Sequence, residues 1–187
     1  MTLKLERFST ENTDLVLSWR NLQEVRNNFL DDHIISKEEH LSFLELLKNN
    51  EKKHYFILKI NEMPISVMYI ELIDNKNSIY WGCYIGNREA IFPGLFPIMI
   101  AICSKFAFQK YKCEKIKSDV LSHNLAPQHM NKFLGIKKIN ERMLESNKLC
   151  FEYEISRKDW EDIEKKINKI ITKQQQKMLD DLDIFLI

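Results

Sequence analysis

Asp119-Val120-Leu121-Ser122-His123-Asn124-Leu125-Ala126-Pro127-Gln128-His129-Met130-Asn131-Lys132-Phe133-Leu134-Gly135-Ile136 is the stretch on which the fold turns. Its first residues finish a strand predicted over Lys115 to Leu121. Pro127 to Leu134 then predicts a short helix stopped by Gly135, and Ile136 to Ile155 two further strands. A strand entering an Asn-bearing turn, followed by a helix that stops on glycine, is a unit that packs a helix against a sheet.

Upstream, Tyr55 to Ile60, Ile65 to Leu72 and Ser78 to Ile85 have strand composition and are separated by the turn clusters Asn61 to Pro64 and Asp74 to Asn77. They predict an antiparallel meander. Ile98 to Phe108 is apolar nearly all round, as a helix buried within a domain must be, and Pro97 suits its first turn. Nearer the start, Leu3 to Arg7 alternates like a strand. Leu15, Val16, Trp19, Leu22 and Val25 then recur at helical spacing. Ser36 with Glu39 forms a capping box for a second helix reaching Asn49. The expected order is β-α-α-β-β-β-α-β-α-β-β. That is an α+β chain with a mixed, largely antiparallel sheet flanked by helices.

Residues 156–187 change character: Trp160, Ile163, Ile167, Ile170, Ile171, Met178, Leu182, Phe185 and Leu186 form an apolar stripe amid Lys, Glu and Gln. One long amphipathic helix or two shorter ones are expected there, as an extension of a domain spanning residues 1–155. The stripe needs cover, either from the same subunit or from a second copy in a homodimer.

Composition limits the function. The 187 residues, 44% apolar and 29% charged, are enough for one independent core. With 28 Lys and Arg against 27 Asp and Glu, the net charge of +1 provides no electrostatic footprint for nucleic acid or membrane. The longest apolar tract, Ala90 to Cys103, is shorter than a membrane span and carries Pro93, Gly94 and Pro97. Lys4, Glu6 and Arg7 occupy the place of a signal peptide's apolar stretch, so a cytoplasmic location is expected. The four cysteines show no metal-type spacing, so no metal site is expected.

The element order resembles the GNAT (Gcn5-related) acyl-CoA N-acyltransferase family over about residues 1–155. Asn124, Met130 and Gly135 fall on the Asn, Leu and Gly of that family's N-x-x-A-x-x-L-Y-x-x-x-G-F signature, while Pro127 replaces Ala and Asn131 replaces Tyr. Arg20-Asn21, Ile35-Ser36 through His40 and Phe43, and Tyr55-Phe56 are similar in order and spacing to the aminosugar N-acetyltransferases of pseudaminic acid biosynthesis, which act on a UDP-linked amino sugar.

The resemblance implies acetyl-CoA as co-substrate and a small amine, a UDP-aminosugar, as acceptor. It also assigns residues. Tyr84-Ile85-Gly86 is the place for backbone donors to the thioester, and Arg88 to Pro97 corresponds to the pyrophosphate loop. In that loop Gly94, beside Leu95, is the glycine that remains, and the segment reads either as a remodelled CoA loop or as an apolar turn. Asn124 and Asn131 complete the cofactor set. Arg20, His40, Tyr55 and Trp81 are the acceptor-binding candidates. Trp81 and Tyr84 point to opposite faces of their strand, so one of the two is expected in the cleft. Arg20 has either a substrate phosphate or Glu24, at i+4, as its partner.

For proton transfer the candidates are His40, with Glu39 and Glu71, as base and His123, beside Ser122, as the thiolate's acid, because an amide at position 131 has no proton to give. Two rival readings remain: a GNAT-derived binding module without catalysis, and acetylation of a peptide amino terminus.

Overall fold

The computed structural model describes residues 2–185; Leu186, part of the expected stripe, lies outside them. Seven strands form one sheet in the order β1-β2-β3-β4-β5-β7-β6. They are β1 (Leu3–Arg7), β2 (Lys53–Ile60), β3 (Met63–Ile73), β4 (Ser78–Ile85), β5 (Lys115–Leu121), β6 (Lys137–Met143) and β7 (Leu149–Ser156). All neighbours are antiparallel except β4 and β5, which run parallel.

The β2–β3 hairpin turns on Asn61 and Glu62, at φ 49° and 64°. A pair of left-handed residues matches the twist of the flanking strands. Pro64 lies inside β3 rather than in the turn: a register shift between Leu58 and Lys59 sets it opposite Lys59, where a strand tolerates a missing N–H.

The first helical stretch breaks in two, α1 (Thr13–Arg20) and α2 (Gln23–Arg26). The cause lies fourteen residues along the chain. Asn21 Nδ2–H donates to the Ile35 carbonyl at 2.8 Å, and the Ile35 N–H donates to Asn21 Oδ1 at 2.9 Å, so the end of α1 is tied to the segment that leads into α3 (Lys37–Lys48). Ser36 and Glu39 cap α3 reciprocally, as expected.

The buried helix α4 (Leu95–Ser104) begins at Leu95, three residues ahead of the expected Ile98, and a wider helical turn over Lys105–Lys110 completes it. Ile98, Met99, Ile100, Ile102 and Cys103 are all within 1% of full burial. Helix α5 (Leu125–Leu134) ends on Gly135, whose φ of 83° is a left-handed C-cap.

The tail forms α6 (Trp160–Ile170) and α7 (Lys173–Asp180), separated where Ile171 turns extended and Thr172 starts a new capping box with Gln175. Ile163, Ile167, Ile171, Met178, Leu179, Leu182 and Ile184 join the same core as α4. Of the two covers the stripe could have, these residues take the first, packing within their own subunit, while Phe185 stays 63% exposed. Lys110 Nζ–H donates to the Ile184 carbonyl at 2.8 Å, and Lys105 Nζ–H to that of Leu179.

Candidate active site

The parallel pair β4 and β5 is short. Only Ser78 to Tyr80 pair with Lys115 to Lys117; beyond that β4 continues to Ile85 and β5 to Leu121 with no pairing between them. The strands part, and a cleft of about 830 Å³ opens between them.

The pairing of β4 with β3 determines what faces this gap. The Gly86 N–H donates to the Ile65 carbonyl at 3.0 Å, and the register from Ile85 to Ser78 is unbroken. Peptide groups alternate along an antiparallel pair. Tyr84 and Gly82 therefore aim theirs at β3, and Ile85 and Cys83, beyond the last pair with β5, aim theirs into the gap. Backbone N–H groups held this way are fixed donors for a carbonyl or amide oxygen.

The cleft passes through the sheet, so both faces contribute to it. On one face stand Tyr80 and Tyr84 of β4, Tyr69 and Glu71 of β3, Tyr55 of β2 and Asp119 of β5. Tyr55 stacks on Tyr69 at 4.9 Å, and the Tyr69 ring occupies the space a Cβ at Gly82 would need. From the α2–α3 segment Phe29 meets Tyr84 edge-on at 5.5 Å, and the Arg20 guanidinium lies 4.0 Å from the Phe29 ring centre. Arg20 Nη2–H donates to the Asp31 carbonyl at 2.9 Å, whereas its buried Nη1 has no partner among the described residues.

Burial pushes the Tyr55 hydroxyl up to about 12 and raises those of Tyr69, Tyr80 and Tyr84 further, so all four are proton-bearing at neutral pH. Burial also raises the Asp119 carboxyl, opposed by the guanidinium of Arg142, whose Nη2–H donates to it at 2.7 Å. The Tyr80 hydroxyl bonds the same carboxyl.

On the other face Trp81 lies 5.9 Å from Phe96, with Cys83, Leu95 and Met99 nearby on the cleft wall. The Cys83 thiol is pushed up to about 12 by burial and is inert as a nucleophile. Before α4, Gly94 has φ 96°, and the Leu95 N–H is taken by the Phe92 carbonyl at 3.2 Å. The N–H groups of Gly94 and Phe96 have no backbone acceptor among the described residues.

The chain is 30% identical over 125 residues, 65% of its length and 76% of the relative's, to "Acetyltransferase PseH" of Campylobacter jejuni subsp. jejuni serotype O:23/36. It belongs to the GNAT N-acetyltransferases. No family model matches it. Among solved structures it is similar to Campylobacter jejuni PseH in complex with acetyl coenzyme A (20% identity, TM-score 0.63, 83% of this chain and 99% of that one). It is also similar to a spermidine N-acetyltransferase from Vibrio cholerae in complex with CoA and spermine (13%, TM-score 0.77, 85% and 98%).

The residues present fit the GNAT co-substrate. Phe92 and Phe96 form the wall of the cleft instead of filling it, and the gap-facing peptide groups of Cys83 and Ile85 are donors of the kind that a co-substrate carrying amide and thioester oxygens uses.

Of the residues singled out in the sequence, Arg20, Tyr55, Glu71, Trp81, Tyr84, Ile85, Gly94, Leu95, Asn124, Met130 and Asn131 border this cleft. The expectation that either Trp81 or Tyr84 borders it is corrected, because strands that part expose both faces to one space. Arg20 does not pair with Glu24, whose carboxylate is 3.7 Å from Arg88.

Three candidates lie elsewhere. His40 is 4% exposed, held between the rings of Phe8 and Phe43 at 6.4 and 6.5 Å, because its place in the first turn of α3 directs it into the core. His123 reaches outward, its Nε2 2.9 Å from the Asn27 carbonyl. Gly86 gives its N–H to β3, and a Cβ there would collide with Trp19. Of the remaining bases, Glu39 is occupied in its capping box, and Glu71 is in the cleft, 3.2 Å from Lys53.

Sequence reasoning missed Asp119, Tyr69, Tyr80 and Phe29. Asp119 had a readable signal. It is two residues beyond Lys117, the partner of Tyr80, and so shares the tyrosine face.

Proposed function

We propose that this acetyl-CoA-dependent N-acetyltransferase acetylates the amine of a small nucleotide-linked aminosugar. The observation that supports the reading is the acceptor side of the cleft, where tyrosine and phenylalanine rings surround an arginine whose Nη1 is buried without a partner. Ring faces suit a pyranose or a base, and a guanidinium suits a phosphate.

Acetyl-CoA supplies the activated acetyl group, and the chain supplies position and proton transfer. The N–H groups of Cys83 and Ile85 hold the donor's carbonyl and pantetheine oxygens. The turn before α4 receives the pyrophosphate through the N–H groups of Gly94 and Phe96 and the positive end of the helix. Asp119 takes the proton of the acceptor ammonium; its raised affinity for protons suits a base more than an ordinary aspartate's would. The nitrogen sheds its second proton to water as the tetrahedral adduct collapses and the C–S bond breaks; the sulfur leaves as a thiolate that takes its proton from water, and Asn131 donates it a hydrogen bond but has no proton to release.

The test is thiol release by the purified protein with acetyl-CoA and a UDP-linked amino sugar. Arg20→Met is expected to raise the acceptor KM by about 10- to 100-fold, the cost of losing a charged partner. Equal turnover of the same amino sugar without its nucleotide would overturn the reading.

A further inference from the structure

The tail helices do more than cover α4. Gln175, 7% exposed, makes three contacts at once. Its Oε1 accepts the Thr172 N–H at 2.7 Å, its own N–H donates to Thr172 Oγ1 at 3.2 Å, and its Nε2–H donates to the Pro93 carbonyl at 2.8 Å. The first two are the capping box of α7. The third reaches across the core to the turn that opens α4.

That turn has few bonds of its own. Pro93 and Pro97 have no N–H, and Gly94 sits at φ 96°. A Cβ on Gly94 would come within 3.2 Å of Gln175 Oε1 and 3.3 Å of Ile171 Cγ2, so α7 and the residue before its cap press directly on the glycine. A turn poor in internal bonds keeps its N–H groups aimed only if something outside it holds its carbonyls.

We infer that Gln175 is a positioning residue for the acetyl donor: by holding the Pro93 carbonyl it orients the Gly94 and Phe96 N–H groups toward the pyrophosphate. This rests on the reading that the turn before α4 receives that group. It gives the carboxy-terminal segment, which lies beyond the strand-built body, a part in donor recognition.

Two donors separate the ideas. Acetyl-CoA carries the pyrophosphate, and S-acetylpantetheine carries the same thioester without it. The measured quantity is the ratio of their kcat/KM values for wild type, Gln175→Met, Gln175→Asn and Thr172→Ala. Methionine keeps the volume and loses the donor; asparagine keeps the amide but falls short of Pro93. Thr172→Ala weakens the same capping box without touching Pro93, and so controls for loss of α7 alone.

The ratio is expected to fall about three- to tenfold in both Gln175 variants, the scale of one oriented hydrogen bond, and to stay at the wild-type value in Thr172→Ala. A wild-type ratio near one would overturn the pyrophosphate reading itself. A large wild-type ratio retained by Gln175→Met or Gln175→Asn would overturn the role of Gln175 alone. An equal fall in Thr172→Ala would also overturn it, by showing that any weakening of α7 suffices. Should Gln175→Met not fold, Gln175→Asn decides by the same criterion.

Discussion

Asp119 sits between two influences that the cleft sets against each other. Burial favours its protonated form, and Arg142 favours the carboxylate. As a base it must be ionised, so the acid limb of kcat/KM is expected above the ordinary aspartate value of 3.8. Arg142→Ala removes the stabilising cation and should move that limb to higher pH. Asp119→Asn should abolish the limb and lower kcat about 10²- to 10⁴-fold. A pH profile unaltered in Asp119→Asn would remove Asp119 from catalysis. At this scale the sequence was legible where a residue's place follows from its position along an element, as for Ile85 and Gly94, which both border the cleft. It was illegible for His40, whose match to the sugar acetyltransferases said nothing of the direction its side chain takes. In the structure Phe8 and Phe43 enclose it.

The elements themselves were readable to the residue where turn chemistry bounds an alternating run: β4 and β5 begin and end where Asn77, Gly86, Glu114 and Ser122 place them. Helix α4 was misjudged because Leu95 and Phe96 are as apolar as the helix they open, so hydropathy marks no boundary there. The break after α1 depends on the bonds between Asn21 and Ile35. That pairing joins two motifs that read separately in the sequence, and it secures the segment bearing Phe29. The parting of β4 from β5 is a tertiary event with no local signature, which is why the shared use of both faces went unread. At the end of α5, Gly135 has φ 83° and Lys166 of α6 donates to the neighbouring Leu134 carbonyl at 3.0 Å. Gly135→Ala forces a left-handed alanine there, at about 1–2 kcal/mol, and should lower Tm by roughly 2–8 °C. A melting curve that coincides with wild type would show that this cap is not what ends the helix.

For the whole molecule, the seven buried apolar side chains that α6, α7 and their flanks contribute bear on whether the body folds at all. At about 1.5–3 kcal/mol for each buried side chain their loss exceeds roughly 10 kcal/mol, against a usual total stability of about 5–15 kcal/mol. A chain stopped after Ser156 is therefore expected to aggregate, or to lose near-UV circular dichroism and cooperative melting; a soluble monomer with a wild-type transition would contradict this. The same dependence applies while the polypeptide is being made. Synthesis runs from residue 1 onward, and α4 cannot be enclosed before the residues up to about Ile184 have emerged. A nascent chain of 150 residues already has every strand but the last, yet displays the greasiest helix of the protein to any chaperone nearby, so a ribosome pausing soon after that point should yield a chaperone client instead of a weakened enzyme.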